Sequence, residues 1–145
     1  MKVTDLMVGD WIQVKRGFKG HLTNEKIKGL IDDDTEPYPI TLATGETVSL
    51  NDVVPIKLTE EILVKNGFEY AYNEVSKMQN KQLLVANIGG HYIEVRLDKK
   101  NVAIWYDYDE NGDGVYSDVL IDLPHHVHNF QHLLRLCGVE KELTI

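Results

Sequence analysis

The sequence has only one cysteine and four prolines, and aromatic residues make up 8% of its 145 positions. A single thiol, Cys137, cannot form an intramolecular disulfide. It lies on the apolar side of a predicted helix, where a buried cysteine acts as a small hydrophobic residue. The chain must therefore be held together by its core, and a reduced cysteine fits a cytoplasmic location.

Long apolar runs are also lacking. No stretch approaches the roughly 20 residues that a membrane-spanning helix needs. The first ten residues contain Asp5 and Asp10 and lack the apolar centre of a signal peptide. We therefore expect a cytoplasmic protein without a membrane segment.

Positive charge is scarce, because 15 basic residues face 23 acidic ones and the net charge is −8. Affinity for nucleic acids depends mainly on clustered lysine and arginine, which displace counterions from phosphates. Here the basic residues are scattered, so binding to DNA or RNA is disfavoured. The acidic residues do cluster, at positions 32–36 and again at 107–122.

Motifs of known enzyme classes are missing as well. The sequence contains no Gly-x-Ser-x-Gly, no phosphate-binding loop and no Cys–His signature. Without a set of residues in named catalytic roles, an enzyme is disfavoured. The weaker catalytic alternative is a hydrolase whose acidic residues meet only in the fold.

The periodicity of the apolar residues predicts an α+β fold. Residues 1–57 read as four or five short strands separated by turns, which suggests a small SH3-like β-barrel. Among these turns are a Gly-Asp turn at Gly9 and Asp10, just before the first strand, and a turn-rich connection at residues 15–20. Residues 58–67 form a short connecting helix, with Thr59 as its N-cap and Gly67 at its end. At 145 residues the chain has room for one domain or two small packed subdomains.

Residues 68–145 are predicted to form an antiparallel meander covered by a C-terminal helix at residues 124–137. The pair Gly89-Gly90 between two alternating segments is a strong hairpin signal. The helix buries one apolar arc, and the final residues 142–145 are expected to add an edge strand. The members of the arc are Val127, Phe130, Leu133, Leu134 and Cys137.

Both ends of this C-terminal helix can be located from its sequence. Pro124 suits the first turn, where a missing N–H costs nothing. Gly138 suits the left-handed position that ends a helix, and Val139 would fold back onto Leu134.

The polar face of the same helix is rich in histidine. It carries His125, His128, His132 and Arg135. The spacing of His128 and His132 would present two imidazoles to one transition metal such as zinc. The alternative is a solvated polar face, since no third ligand is defined. His126 points toward the apolar arc, where a hydrogen-bonded boundary position is expected.

The second acidic cluster resembles a calcium-binding loop. Its ligands would be Asp107, Asp109, Asn111, Asp113 and Asp118, with Gly112 at the sharp turn. Calcium prefers such oxygen ligands, so it is the cofactor this loop would take, and no other cofactor is expected. Asp118 replaces the usual glutamate and the flanks read as strands. The alternative is therefore an exposed hairpin turn, where Asp, Asn and Gly are common.

Three segments of the sequence have a familiar wording: DLMVGDW at residues 5–11, PIKLTEEILVKNGF at residues 55–68 and VHNFQHLLRLCG at residues 127–138. They resemble small uncharacterised proteins of Bacteroides-type gut bacteria and their phages or prophages. The resemblance implies a cytoplasmic protein of mobile-element origin and unknown function. It assigns no catalytic residue and does not include the acidic loop.

We therefore expect a non-enzymatic protein-interaction module that binds an unknown protein partner or associates with itself. The alternative is a calcium- or metal-binding protein that uses the loop at residues 107–118.

Overall fold

The structure, a computed structural model, describes residues 2–33, 35–106 and 119–145. Within these ranges the chain forms two antiparallel five-stranded sheets, one short helix between them and a longer helix near the C-terminus. The predicted α+β class, with antiparallel sheets and a C-terminal helix, is confirmed.

The first sheet comes from the N-terminal third of the chain. Its strands are β1 (Trp11–Arg16), β2 (His21–Leu30), β3 (Ile40–Leu42), β4 (Thr47–Val48) and β5 (Val53–Pro55), in the order β4-β3-β2-β1-β5. Short 3₁₀ turns at Val3–Asp5 and Leu50–Asp52 precede β1 and β5. Within the described part of this sheet the outer strands β4 and β5 do not pair, so no closed barrel is seen.

Alternation along these strands builds the first hydrophobic core. In β1, Ile12 and Val14 point inward and are almost fully buried, whereas Gln13 and Lys15 point outward. The cluster consists of Leu6, Ile12, Val14, Ile27, Ile40, Leu42, Val48 and Val53.

The connecting helix, α1 (Glu60–Lys65), forms where the sequence predicts it but is shorter than residues 58–67. The Thr59 hydroxyl accepts a hydrogen bond from the Ile62 amide at 3.3 Å, as expected of an N-cap. Gly67 ends the helix with a positive φ of 89°. Leu63 and Phe68 are thereby buried in the second core.

The second sheet is the predicted meander. Its strands are β6 (Glu69–Asn73), β7 (Met78–Ile88), β8 (His91–Arg96), β9 (Asn101–Tyr106) and β10 (Val119–Asp122), in the order β10-β9-β8-β7-β6. Ile88 pairs with His91 across the two-residue Gly89-Gly90 turn, so the predicted hairpin is confirmed.

The C-terminal helix, α2 (Val127–Leu136), begins three residues later than predicted, and Pro124 is not in its first turn. His126 is extended and forms an antiparallel bridge with Lys57. The amide of Val127 donates to the Ile56 carbonyl at 2.9 Å. Because His126 and Val127 pair with residues 56 and 57, which precede α1, helix α2 begins only at Val127. Its end is as predicted, because Gly138 has a φ of 78° and the Val139 amide donates to the Leu134 carbonyl at 2.8 Å.

The apolar arc of α2 packs on the second sheet and forms the larger core. Phe130 and Phe68 meet there with ring centroids 6.0 Å apart. The cluster also includes Leu84, Ile93, Val95, Val102, Ile104, Val127, Leu134, Cys137, Val139 and Leu143. Cys137 is buried as expected, and burial raises the pKa of its thiol.

Residues 139–145 have no regular secondary structure, so the expected edge strand does not form. Two buried side-chain amides bind this segment instead. Gln131 donates to the Lys141 carbonyl at 2.7 Å and accepts from the Leu143 amide at 2.6 Å. Asn66 donates to the Thr144 carbonyl at 2.7 Å and accepts from the Thr144 amide at 2.8 Å. Each side-chain amide thus provides hydrogen bonds to a backbone carbonyl and a backbone N–H, as a neighbouring strand would.

Candidate functional site

The polar face of α2 packs against the turn that precedes β1. The side chain of Asp10 is completely buried there. Its carboxylate accepts a hydrogen bond from the Met7 amide at 2.7 Å, and Gly9 supplies the positive φ of 92° that the turn requires. The Gly-Asp turn expected from the sequence thus directs a carboxylate toward α2.

Two side chains of α2 contact this carboxylate. Nε2 of His132 donates to Asp10 at 2.8 Å, which places a proton on that nitrogen. An Arg135 guanidinium nitrogen lies 3.6 Å from the other Asp10 oxygen. A buried carboxylate with these partners holds α2 against the first sheet.

His128 lies one turn before His132 on α2 and is only 3% exposed. Its ring is 5.6 Å from that of His126 and 5.9 Å from that of His132, measured between centroids. Nδ1 of His128 is buried without a hydrogen-bond partner among the described residues. The polar face of α2 predicted to be solvated is therefore partly buried, because the first sheet and the C-terminal segment cover His128 and Gln131.

Burial lowers the pKa of His128, since the charged imidazole loses its hydration. The neighbouring His126 and His132 also lower this pKa, while the negative charges of Asp10 and Asp5 act in the opposite direction. Burial thus favours the neutral form of His128.

These groups border an open cleft between α2 and the N-terminal segment. It is lined by Thr4, Asp5, Pro55, His126, His128, Asn129 and His132. The described lining of the cleft contains proton donors and acceptors, namely three imidazoles, the Asp5 carboxyl and the Thr4 hydroxyl.

The structure brings together the two histidines predicted as metal ligands, His128 and His132. One nitrogen of His132 is already bound to Asp10. In the described part of the chain no group of three or more His, Cys, Asp or Glu side chains is arranged to hold a metal ion. The zinc pair stays a prediction.

The predicted calcium ligands, Asp107, Asp109, Asn111, Asp113 and Asp118, lie outside the described residues. The first acidic cluster is described except for residue 34. Asp33 accepts hydrogen bonds from the amide and hydroxyl of Thr35, which lower its pKa. A hydrolase with acidic residues from both clusters likewise stays a prediction.

The turn between β1 and β2 was expected from the sequence, but its aromatic residue was not recognised as a candidate contact. We call residues 15–20, which are the end of β1 and this turn, the hairpin tip. Phe18 is fully exposed there, between Gly17 and Gly20, which both have a φ of 64°. The signal in the sequence was an aromatic residue inside a glycine-bounded turn, where apolar side chains have no structural role.

Two free charges accompany Phe18. Arg16 is bound by Glu25 at 3.3 Å and by Glu46, so its charge is compensated within the sheet. Lys15 and Lys19 are exposed, and no salt bridge involves either in the described ranges. The hairpin tip therefore presents a phenyl ring beside two unpaired lysines in a chain of net charge −8.

No family model, curated protein or solved structure matches this chain. The resemblance to phage and gut-bacterial proteins stays a prediction. None of the described helices has both the length and the apolar character required to cross a membrane.

Proposed function

We propose that this protein is a non-enzymatic protein-interaction module and that the hairpin tip contacts its partner. The observation that carries the proposal is the complete exposure of Phe18. Burying a phenylalanine side chain contributes roughly 1.5–3 kcal/mol, which folding leaves unused here. A rigid aromatic residue on a short turn is a typical anchor of a protein interface.

The charges beside Phe18 indicate the kind of surface that would receive it. Lys15 and Lys19 would pair with carboxylates at the rim of an apolar pocket, where charge complementarity guides association. The N-terminal sheet supplies a rigid base for the tip. Its strand order, in which first and last strands are neighbours, supports the expectation of an SH3-like barrel, a fold that often binds peptides.

A photo-crosslinking amino acid at position 18 tests this function. We expect it to capture either a partner protein in a lysate of the native cell or a second copy of the chain. The matched control is the same probe at position 75, since Val75 is an equally exposed apolar residue in the turn between β6 and β7. Capture of neither a partner nor a second copy at position 18 would contradict the proposal.

A captured protein must then bind directly. After its identification and purification, its dissociation constant is measured with the wild type, Phe18→Ser and Val75→Ser. We expect Phe18→Ser to weaken binding about 10-fold or more, because an aromatic anchor is worth about 1.4 kcal/mol or more. Equal affinities of Phe18→Ser and wild type would exclude the tip as the contact.

A further inference from the structure

A second feature lies at the opposite end of the first sheet, where the loop after β2 meets the N-terminal segment. It is a cleft lined by Lys2, Val3, Thr4, Asp32, Asp33, Glu36, Pro39 and Leu50, which we call the acidic cleft. Nothing in the sequence analysis combined these residues, because they come from three separate segments of the chain.

The chemistry of the acidic cleft is complementary to that of the hairpin tip. Val3, Pro39 and Leu50 supply apolar surface for a phenyl ring. Asp32 and Glu36 supply carboxylates that have no salt bridge in the described part of the chain. Among the described lining residues, the three acids outnumber the one lysine, Lys2, so the cleft attracts positive charge.

The hairpin tip cannot reach the acidic cleft of its own chain. Strand β2 connects them, with the tip before His21 and the acidic loop after Leu30. At a rise of about 3.3 Å per residue, the ten residues of this strand place the two up to about 30 Å apart, at its opposite ends. The complementarity can therefore be satisfied only between two molecules.

We propose that the partner of the hairpin tip is a second copy of this chain, with Phe18 in the acidic cleft and Lys15 and Lys19 paired with Asp32 and Glu36. This inference rests on the proposed function and specifies its partner. The two surfaces differ, so the contact is heterologous and each molecule offers one tip and one cleft. Association extends head to tail beyond the dimer.

The contact is small, because one turn enters one cleft, and it depends on exposed charges. Both properties give weak binding that salt weakens further. Sedimentation velocity on the full chain from about 10 μM to about 1 mM tests this directly. We expect the mean mass to rise with concentration at low salt and to fall toward the monomer at about 0.5 M salt.

Charge reversal tests the pairing. Protein carrying K15E and K19E, and protein carrying D32K and E36K, should each be monomeric, since like charges would then face each other. An equimolar mixture of the two proteins should associate again, because each supplies the surface that complements the other. Recovery in the mixture is not expected if the substitutions merely damaged folding.

The control is the double variant K81E and K99E, which makes the same change in net charge at exposed lysines away from the tip. It should associate as the wild type does. Phe18→Ser should abolish association without changing the charge. Thermal unfolding of every variant checks that the fold is kept.

A wild type that is monomeric at all concentrations would overturn self-association, as would an oligomer that the tip and cleft reversals leave unchanged. Neither result removes the proposed function if the probe at position 18 captures a different protein. Failure of the inference and failure of the proposed function are thus distinguished.

Discussion

Asp10 shows, at the scale of single residues, what the sequence predicts well and what it leaves out. The Gly-Asp turn before a strand was expected and is present. The residues that share its carboxylate are Met7 in the same turn, and His132 and Arg135, which lie more than a hundred positions later. Local patterns predict the turn, but they contain no information about which distant side chain covers it.

Removal of this carboxylate should destabilise the protein. We expect Asp10→Ala to lower the free energy of unfolding by about 2–4 kcal/mol, because the Met7 amide and the partly buried side chains of His132 and Arg135 lose their acceptor. Asp10→Asn should cost less, since an amide oxygen can still accept from the Met7 amide. Urea unfolding measures both, with Asp52→Ala as an exposed control. Equal stability of Asp10→Ala and the control would show that the buried contacts contribute nothing.

At the scale of elements, α2 was predicted well on one face and wrongly on the other. Its apolar arc and its glycine end follow from periodicity and turn chemistry, which are local properties. Its polar face was expected to be solvated, yet His128 and Gln131 are buried. A hydrophobic stripe identifies one contact surface of a helix. It does not reveal a second, polar surface that packs through hydrogen bonds.

The burial of His128 predicts a stability that depends on pH. Its pKa is lowered in the folded protein, so below about pH 6.5 the unfolded chain takes up the proton first. As the pH is lowered further, the free energy of unfolding should therefore decrease until the pH reaches the lowered pKa of the folded state. The decrease from this group is at most about 1.4 kcal/mol per pH unit.

Urea unfolding at about pH 7.5 and about pH 5 checks this. The loss of stability should be smaller in His128→Gln than in the wild type, because this variant lacks the imidazole whose pKa burial lowers. His125→Gln is the matched control, because His125 is exposed at the start of the same segment. An identical pH dependence in His128→Gln and the wild type would contradict the role assigned to burial.

At the scale of the whole molecule, the types of elements and the meander of the second sheet could be predicted, but the packing of α2 against the first sheet could not. Hairpins and helix ends depend on a few neighbouring residues, such as Gly89-Gly90 and Thr59. The contact between the first sheet and α2, and the cleft of histidines beside it, depend on residues far apart in the chain. The exposure of Phe18 was not predicted for a different reason, since a turn sequence does not show whether an aromatic side chain folds back onto the protein.

The calcium prediction is also tested on the whole molecule, by thermal unfolding after treatment with EDTA and after addition of calcium, magnesium or zinc. Calcium at about a hundred times its dissociation constant should stabilise the native state by roughly 2.7 kcal/mol. Asp107→Ala and Asp109→Ala should remove that shift. A shift with zinc alone would instead indicate His128 and His132. An unchanged midpoint with every ion would exclude both sites.

The two cores differ in how much of the chain they require. All members of the first lie between Leu6 and Val53, whereas the second extends from Ile56 to Leu143. On a ribosome, every side chain of the first core has been added before synthesis of the second sheet begins. The contacts of Asp10 with His132 and Arg135, however, cannot form until α2 has been synthesised. We therefore infer that the contacts between Asp10 and α2 form last. They join the first sheet to the second sheet with α2, after the core of each part has formed.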